Sequence, residues 1–280
     1  MSTTLRRRVV SLGGLRVGDG PAVLVSGRVN LRGPGQADAS AVLRDGATLV
    51  EPSRADDLPA IAAHADGVVV GAAWTRDIPL VRAVAGLGLP VVVERRPSGS
   101  LEEWLALADY CALENDDQVI LCEQGRLDLG LLRAAREASG RPVVADVSQD
   151  PGLSAAAVAA GADGLLVDGS GTREAQDAVT LVGALLRPEL PATLEESRQA
   201  IDRVDAALAT LLERRAALAG VVQTLKPVGG FAGRDMARER ALVARMAQRA
   251  PELGEARLAP IMNAVIEAGL HLSEERSART

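Results

Sequence analysis

The apolar residues of the first two thirds of the chain fall in short β-branched runs, at residues 23–25, 48–50, 68–70, 91–93, 119–121, 143–145 and 165–167. Between them lie Ala- and Leu-rich stretches of helical spacing, such as 100–110 and 129–138. Seven such runs at fairly even intervals predict repeated β-α units with parallel strands buried on both faces. That is the pattern of a (β/α) barrel or an open doubly wound sheet. Residues 8–21 alternate around Gly13-Gly14 and read as a hairpin ahead of the first parallel strand.

After Pro188 and Pro191 the period changes to helical. Ile201, Val204, Leu208, Leu211, Leu212, Leu218 and Val222 make one stripe along about seven turns. Thr193 and Glu196 have capping-box spacing, while Pro227, Gly229, Gly230 and Gly233 stop the helix soon after Lys226. Further helices are expected over 235–249 and 255–272. The division expected is therefore 1–188, an α/β barrel-like domain, and 189–280, an all-α three-helix domain. Three helices, one of them very long, make a poor globule alone, so the stripe is expected to be covered by a second copy in an intertwined dimer.

Composition narrows the chemistry. The chain has 280 residues, 48% of them hydrophobic, and a formal charge of −6, which excludes a disordered chain and a generic nucleic-acid binder. Its aromatic residues are Trp74, Trp104, Tyr110 and Phe231, so recognition by ring stacking is unexpected. With Cys111, Cys122, His64 and His271 as the only thiols and imidazoles, no metal and no other cofactor is expected. The first residues lack a signal-length apolar segment, and no window approaches ~18 uninterrupted apolar residues. A cytoplasmic protein with no membrane partner is the expectation.

Arg198, Arg215 and Lys226 lie on the long helix, with Asp235, Arg238 and Glu239 on the next. Eleven residues separate Arg215 from Lys226, which puts both on one face roughly 16 Å apart, where a dianion could lie between their side chains. Arg198 is about 25 Å from Arg215 along the axis and cannot share that ligand within one chain. Spacing alone leaves open that all of these are solvated charges on an exposed face.

The stretches "SRQAIDRVDAALATLLERRAALAGVVQTLK", "RDMARERALVARM" and "LAPIMNAVIEAG" resemble the all-helical chorismate mutases over residues 194–273, ungapped from 198 to 245. The resemblance implies a homodimer that rearranges chorismate to prephenate. By its pattern Arg198 would reach into the partner's site for one substrate carboxylate and Arg215 would hold the other. Lys226 would bond the ether oxygen and Glu239 the ring hydroxyl, with Asp235 and Arg238 completing the pocket. These residue types suit a Claisen rearrangement, which needs positioning and positive charge rather than a nucleophile or proton transfer. One departure is that the last helix has Ser273 where the family usually carries a Gln or Glu donor, and Gly269 where it has a serine.

The first half resembles DAHP synthase over residues 9–169, in "PVVVERRPSGSLEEWLALADY", "VILCEQG" and "GADGLLVD". In that family the barrel holds a divalent metal and two phosphorylated substrates. Here its metal-binding cysteine falls at Val29, its histidine at Gln149, its glutamate at Asp168 and its catalytic lysine at Glu94. Its phosphate-binding arginines fall at Ala73 and Gln124, and one β-α unit is missing between Asn30 and Thr48, which makes the barrel incomplete. The resemblance thus implies a catalytically vestigial domain with no synthase activity. Cys122 then reads as a packed thiol, and Gly169-Ser170-Gly171 as a tight turn or, alternatively, a phosphate-binding turn at the start of the next helix. The expected activity is chorismate mutase, with a separate DAHP synthase as a candidate partner. The alternatives are a non-catalytic regulatory or partner-binding subunit and an isochorismate pyruvate lyase.

Overall fold

The computed structural model describes residues 7–32, 39–43, 47–186, 191–226 and 228–278. The chain divides into two compact units, Met1–Ala200 and Ile201–Thr280. The boundary expected at 188/189 lies outside the described residues.

The first unit begins with the expected hairpin, β1 (Val10–Leu12) and β2 (Leu15–Val17), paired antiparallel. Eight parallel strands follow: β3 (Val23–Val25), β4 (Arg28–Asn30), β5 (Ala47–Glu51), β6 (Ala65–Val70), β7 (Val91–Glu94), β8 (Val119–Glu123), β9 (Val143–Asp146) and β10 (Gly164–Leu166). Their order is β3-β10-β9-β8-β7-β6-β5-β4, so both ends of the curled sheet belong to one stretch of chain. That stretch breaks at Ser26 and Gly27, where Gly27 takes a positive φ of 83°, a conformation that disfavours any side chain. On one side of the break Val167 N donates to Val25 O, and on the other Leu49 N donates to Gly27 O. Seven runs in the sequence thus become eight strands because a polar segment, Arg28-Val29-Asn30, continues the first run past a bend.

The runs from β6 to β10 are buried on both faces, as parallel strands in an α/β fold require, while Val23 and Leu24 of β3 are only half-buried. Val25, Leu49, Val69, Val92, Ile120, Val144 and Leu166 form an inner cluster with Val10, Leu12 and Val17 of the hairpin, which plugs it. At Gly67 a Cβ would lie 2.5 Å from Leu12 Cδ1, so only glycine lets the hairpin seat. The alternate residues, such as Val68, Val70, Val91, Val93, Leu121 and Leu165, pack outward under helices. These are α1 (Ala39–Val42), α2 (Leu58–His64), α3 (Ile78–Ala85), α4 (Leu101–Ala112), α5 (Leu129–Ser139), α6 (Ser154–Ala160), α7 (Thr172–Asp177) and α8 (Gly183–Leu186). Asp77, Ser100 and Asp128 start α3, α4 and α5 by accepting a backbone N–H three residues on. Cys111 and Cys122 are buried thiols, and Gly169–Gly171 forms a single 3₁₀ turn before α7.

Three further helices follow: α9 (Leu194–Leu225), α10 (Met236–Ala247) and α11 (Gly254–Ala278). The capping box at the start of α9 forms as the spacing predicts, with Glu196 N donating to Thr193 Oγ1 at 3.1 Å and Thr193 N to Glu196 Oε2 at 3.2 Å. Asp235 caps α10. α11 runs six residues beyond the expected end. Val243, Leu258 and Met262 form a small core between α10 and α11. The stripe of α9 lies open within the chain: Ile201, Val204, Leu208, Leu211, Leu212, Leu218, Val221 and Leu225 are all exposed. No helix of the described residues is long and apolar enough to cross a membrane.

Candidate functional site

The helical unit encloses a cavity of about 320 Å³. Leu218, Val222, Leu242, Ile266 and Leu270 supply its apolar wall. Five cations line it, Arg215, Lys226, Arg234, Arg238 and Arg245, against two carboxylates, Asp235 and Glu239. An apolar pocket with a cationic surplus suits a small polyanion with a hydrocarbon body.

Most of these groups are held by the turn between α9 and α10 and by the neighbouring helices. Arg215 Nη1 donates to Val265 O of α11 at 3.3 Å, and Lys226 Nζ donates to Gly233 O at 2.8 Å. The ammonium keeps two further donors. Glu239 is gripped by Arg234, whose Nε donates to Oε1 at 3.1 Å and whose Nη2 donates to Oε2 at 2.6 Å. The same guanidinium reaches Glu267 at 3.2 Å and Asn263 at 2.7 Å on α11. Those hydrogen bonds from Arg234 hold the Glu239 carboxyl below the usual range against the opposing effect of burial, so it stands as an acceptor at neutral pH. Asp235 uses Oδ1 to cap α10, accepting from Ala237 N at 3.1 Å and Arg238 N at 3.0 Å.

Five of the six residues singled out in the sequence therefore line one cavity: Arg215, Lys226, Asp235, Arg238 and Glu239. Arg198 does not. It is exposed on α9, four turns and more from Arg215. Gly269 sits beside Arg215, where a Cβ would lie 3.9 Å from Nη1, whereas Ser273 is not among the lining residues. Three polar lining residues escaped the sequence reading, Arg234, Gln223 and Arg245. Gln223 was within reach, since it precedes Lys226 by three and so shares its face of the helix.

In the barrel unit the ends of the strands carry a different cluster. Four of the strands, β5, β7, β8 and β9, close on an acid: Glu51, Glu94, Glu123 and Asp146. Arg28 extends from β4 among three of them, 2.9 Å from Glu51, 2.6 Å from Glu94 and 3.3 Å from Asp146. Burial opposes the charge of Arg28, but Glu94 and Glu51 outweigh it and raise its pKa further above neutrality. Burial likewise raises the Glu94 carboxyl despite the pull of Arg28. Trp74 Nε1 donates to Glu51 Oε1 at 3.0 Å, and Arg32 lies 4.9 Å over the Trp74 ring. Beside this cluster Arg95 makes a buried fork to Glu123, at 2.5 and 2.6 Å. Glu94, which stands where the resembled family has its catalytic lysine, is matched internally by Arg28. A divalent metal does not fit these residues, because Val29 offers no donor and a guanidinium stands between the carboxylates. Among the described residues no group of three or more His, Cys, Asp or Glu side chains is arranged to hold one.

Comparison with known proteins gives separate matches for different parts of the chain. Residues 197–274 match the family model of chorismate mutase type II. The phospho-2-dehydro-3-deoxyheptonate aldolase of Thermotoga maritima is 32% identical over 130 residues, 40% of this chain. The match spans only 38% of that relative's length. A crystal structure of the DAHP synthase from Thermotoga maritima shares the fold, with a TM-score of 0.57 and 23% identity over 64% of this chain and 74% of that one. The chain thus carries a chorismate mutase type II domain at its C-terminus, behind an N-terminal region homologous to DAHP synthase.

Proposed function

We propose that the helical unit rearranges chorismate to prephenate and that the barrel unit performs no synthase chemistry. The observation that carries the first half is the convergence of Arg215, Lys226, Arg238 and Glu239 on one cavity within a chorismate mutase type II match. The reaction breaks an ether C–O bond and forms a C–C bond within one molecule, with no net proton transfer. Catalysis then consists of holding a dicarboxylate in its compact reactive shape and stabilising negative charge on the ether oxygen as that bond breaks. Arg215 serves a carboxylate as a fork, Lys226 faces the ether oxygen as a point charge, and Glu239 accepts from the ring hydroxyl.

The second carboxylate is assigned to Arg198 of a second copy. Two observations support a homodimer: Arg198 stands apart from the cavity on the same helix, and the α9 stripe lies exposed in a single chain. Mixed dimers of Arg198→Ala and Arg215→Ala chains should regain one intact site. Heterodimers that form yet remain inactive would refute the shared site.

Purified protein incubated with chorismate tests the activity. Prephenate formation above background is expected; none, with or without added DAHP synthase, would favour a regulatory subunit, and pyruvate release from isochorismate would favour a lyase. For the barrel, the support is the Arg28 cluster across the strand ends and the loss of metal donors. Metal-dependent condensation of phosphoenolpyruvate with erythrose 4-phosphate would overturn that part.

A further inference from the structure

We propose that Gln223 is a catalytic residue of the helical cavity, donating an amide N–H to the same substrate oxygen that Lys226 faces. The proposal rests on the mutase reading above and adds a residue to it. Gln223 lies on α9 one turn before Lys226 and lines the cavity with it. Its Oε1 accepts from Gly230 N at 2.9 Å. That bond sets the amide's orientation, since exchanging oxygen and nitrogen would bring two donors together. Both N–H donors are thereby left on the other atom, and among the described residues neither has a partner. A half-buried amide with its acceptor committed and its donors free, beside a cavity, is an arrangement built to give a hydrogen bond.

The partner it suits is an oxygen that becomes negative. Among the other polar groups in the cavity, Glu239 and Asp235 can only accept, while Arg215, Arg238 and Arg245 present the forks that carboxylates match. Lys226 is tied by one N–H to Gly233 O, so its charge is fixed at one spot. A neutral N–H next to that spot gains most when charge appears there in the transition state and little in the ground state, so it acts on kcat rather than on KM.

The test uses the full-length protein with chorismate, comparing Gln223→Leu and Gln223→Glu with the wild type from pH 4 to 8. The leucine removes both the acceptor and the donors. The glutamate keeps the acceptor for Gly230 N and donates only when protonated. Charges around it include Arg215 and Lys226 on α9, Arg234 before α10, Asp235 and Glu239 on α10, and Glu274 on α11 near Gly230. Gln223→Leu should lose on the order of 10²-fold in kcat with KM changed only a few-fold, at every pH. Gln223→Glu should match that loss near pH 8 and regain at least about tenfold, relative to wild type at the same pH, as its carboxyl protonates.

A wild type that turns over chorismate while Gln223→Leu is unimpaired would overturn the role of Gln223 and leave the mutase reading standing. Equal, pH-independent losses in both variants would overturn it too, since only a structural tie to the Gly230 turn would then remain. Wild-type activity near that of Gln223→Glu at all pH values would mean that the acceptor alone matters, and the donor role would fall in the same way. Absence of any wild-type turnover overturns the mutase reading and this assignment together.

Discussion

Replacing Arg28 by methionine removes the counter-charge of Glu51, Glu94 and Asp146 while keeping most of the side-chain volume. The Arg28 side chain is 20% exposed and that of Glu94 only 6%, so the carboxylates would be left unpaired in a largely dry setting. Breaking a buried ion pair by deleting one partner costs about 3–5 kcal/mol, most of it the penalty on the group left behind. With a urea m-value of about 2–3 kcal/mol/M for a unit of this size, the midpoint should fall by about 1–2 M. The assay is specific to this unit, because both tryptophans of the chain, Trp74 and Trp104, are buried in it and Trp74 bonds Glu51 directly. Tryptophan emission therefore follows the barrel while the helical unit is silent. Burial already raises the Glu94 carboxyl, and it should rise further without Arg28. A carboxyl raised in the native state keeps a proton that the unfolded chain has released, so stability falls as pH rises between the two pKa values. The deficit of Arg28→Met should accordingly be largest near pH 8 and shrink toward pH 5, and adding Glu94→Gln should return part of it. A deficit below about 1 kcal/mol that ignores pH would show the cluster to be solvated like a surface pair, and the reasoning to be wrong.

Gly67→Ala should cost about 1–3 kcal/mol by the same fluorescence assay, because its methyl would meet Leu12 Cδ1 at 2.5 Å and unseat the hairpin; a neutral result would mean that β1 and β2 yield freely. Cys111, its thiol pushed up to about 12 by burial, and Cys122, raised well above the ordinary value for the same reason, should resist alkylation at pH 8 in the native protein and react after denaturation, read by mass spectrometry. Arg234→Ala should shift the acid limb of kcat/KM to higher pH, since it frees Glu239 from the bonds that depress its carboxyl; Lys226 still favours its charge and Asp235 opposes it. The depressed carboxyl stabilises the fold above its unfolded pKa, a gain lost as pH falls through the folded one, so an unmoved limb together with unmoved acid stability would refute the Arg234 assignment.

Period and spacing were enough to place the hairpin, the buried runs and the three terminal helices, because each depends on a local pattern: alternation, β-branching or a Thr193–Glu196 cap. For the cavity, spacing went only as far as one shared helix face, and the resemblance to the chorismate mutases is what brought its residues together. Arg215 and Lys226 stand on one helix, where angle follows from position. Arg234 was harder to see, because its value lies in reaching Glu239, Glu267 and Asn263 at once, across elements that sequence spacing does not relate. Arg28 was hidden by the same limitation and by the bend at Gly27, which ends an apolar run and begins a polar strand that no hydrophobic pattern marks. Glu51, Glu94, Glu123 and Asp146 each close such a run, a regularity that signals charged strand ends but not the cation between them.

The bend that gives both ends of the sheet to one stretch of chain has a consequence for how the protein is made. β3 pairs with β10, Val25 opposite Leu166, so its partner strand is synthesised about 140 residues later. Closing a loop of that length costs about 4 kcal/mol in chain entropy, and pairings between distant residues slow folding. At about 5–20 residues per second a ribosome takes on the order of ten seconds to deliver β10 after β3 has emerged. During that interval β4 can pair with β5 and each later strand with its predecessor, but the outer edge of β3 has nothing to bond. A nascent chain stalled before β10 has cleared the exit tunnel should therefore present an open strand edge to chaperones or to a neighbouring nascent chain, and once β10 is outside the ribosome β3 can pair with it.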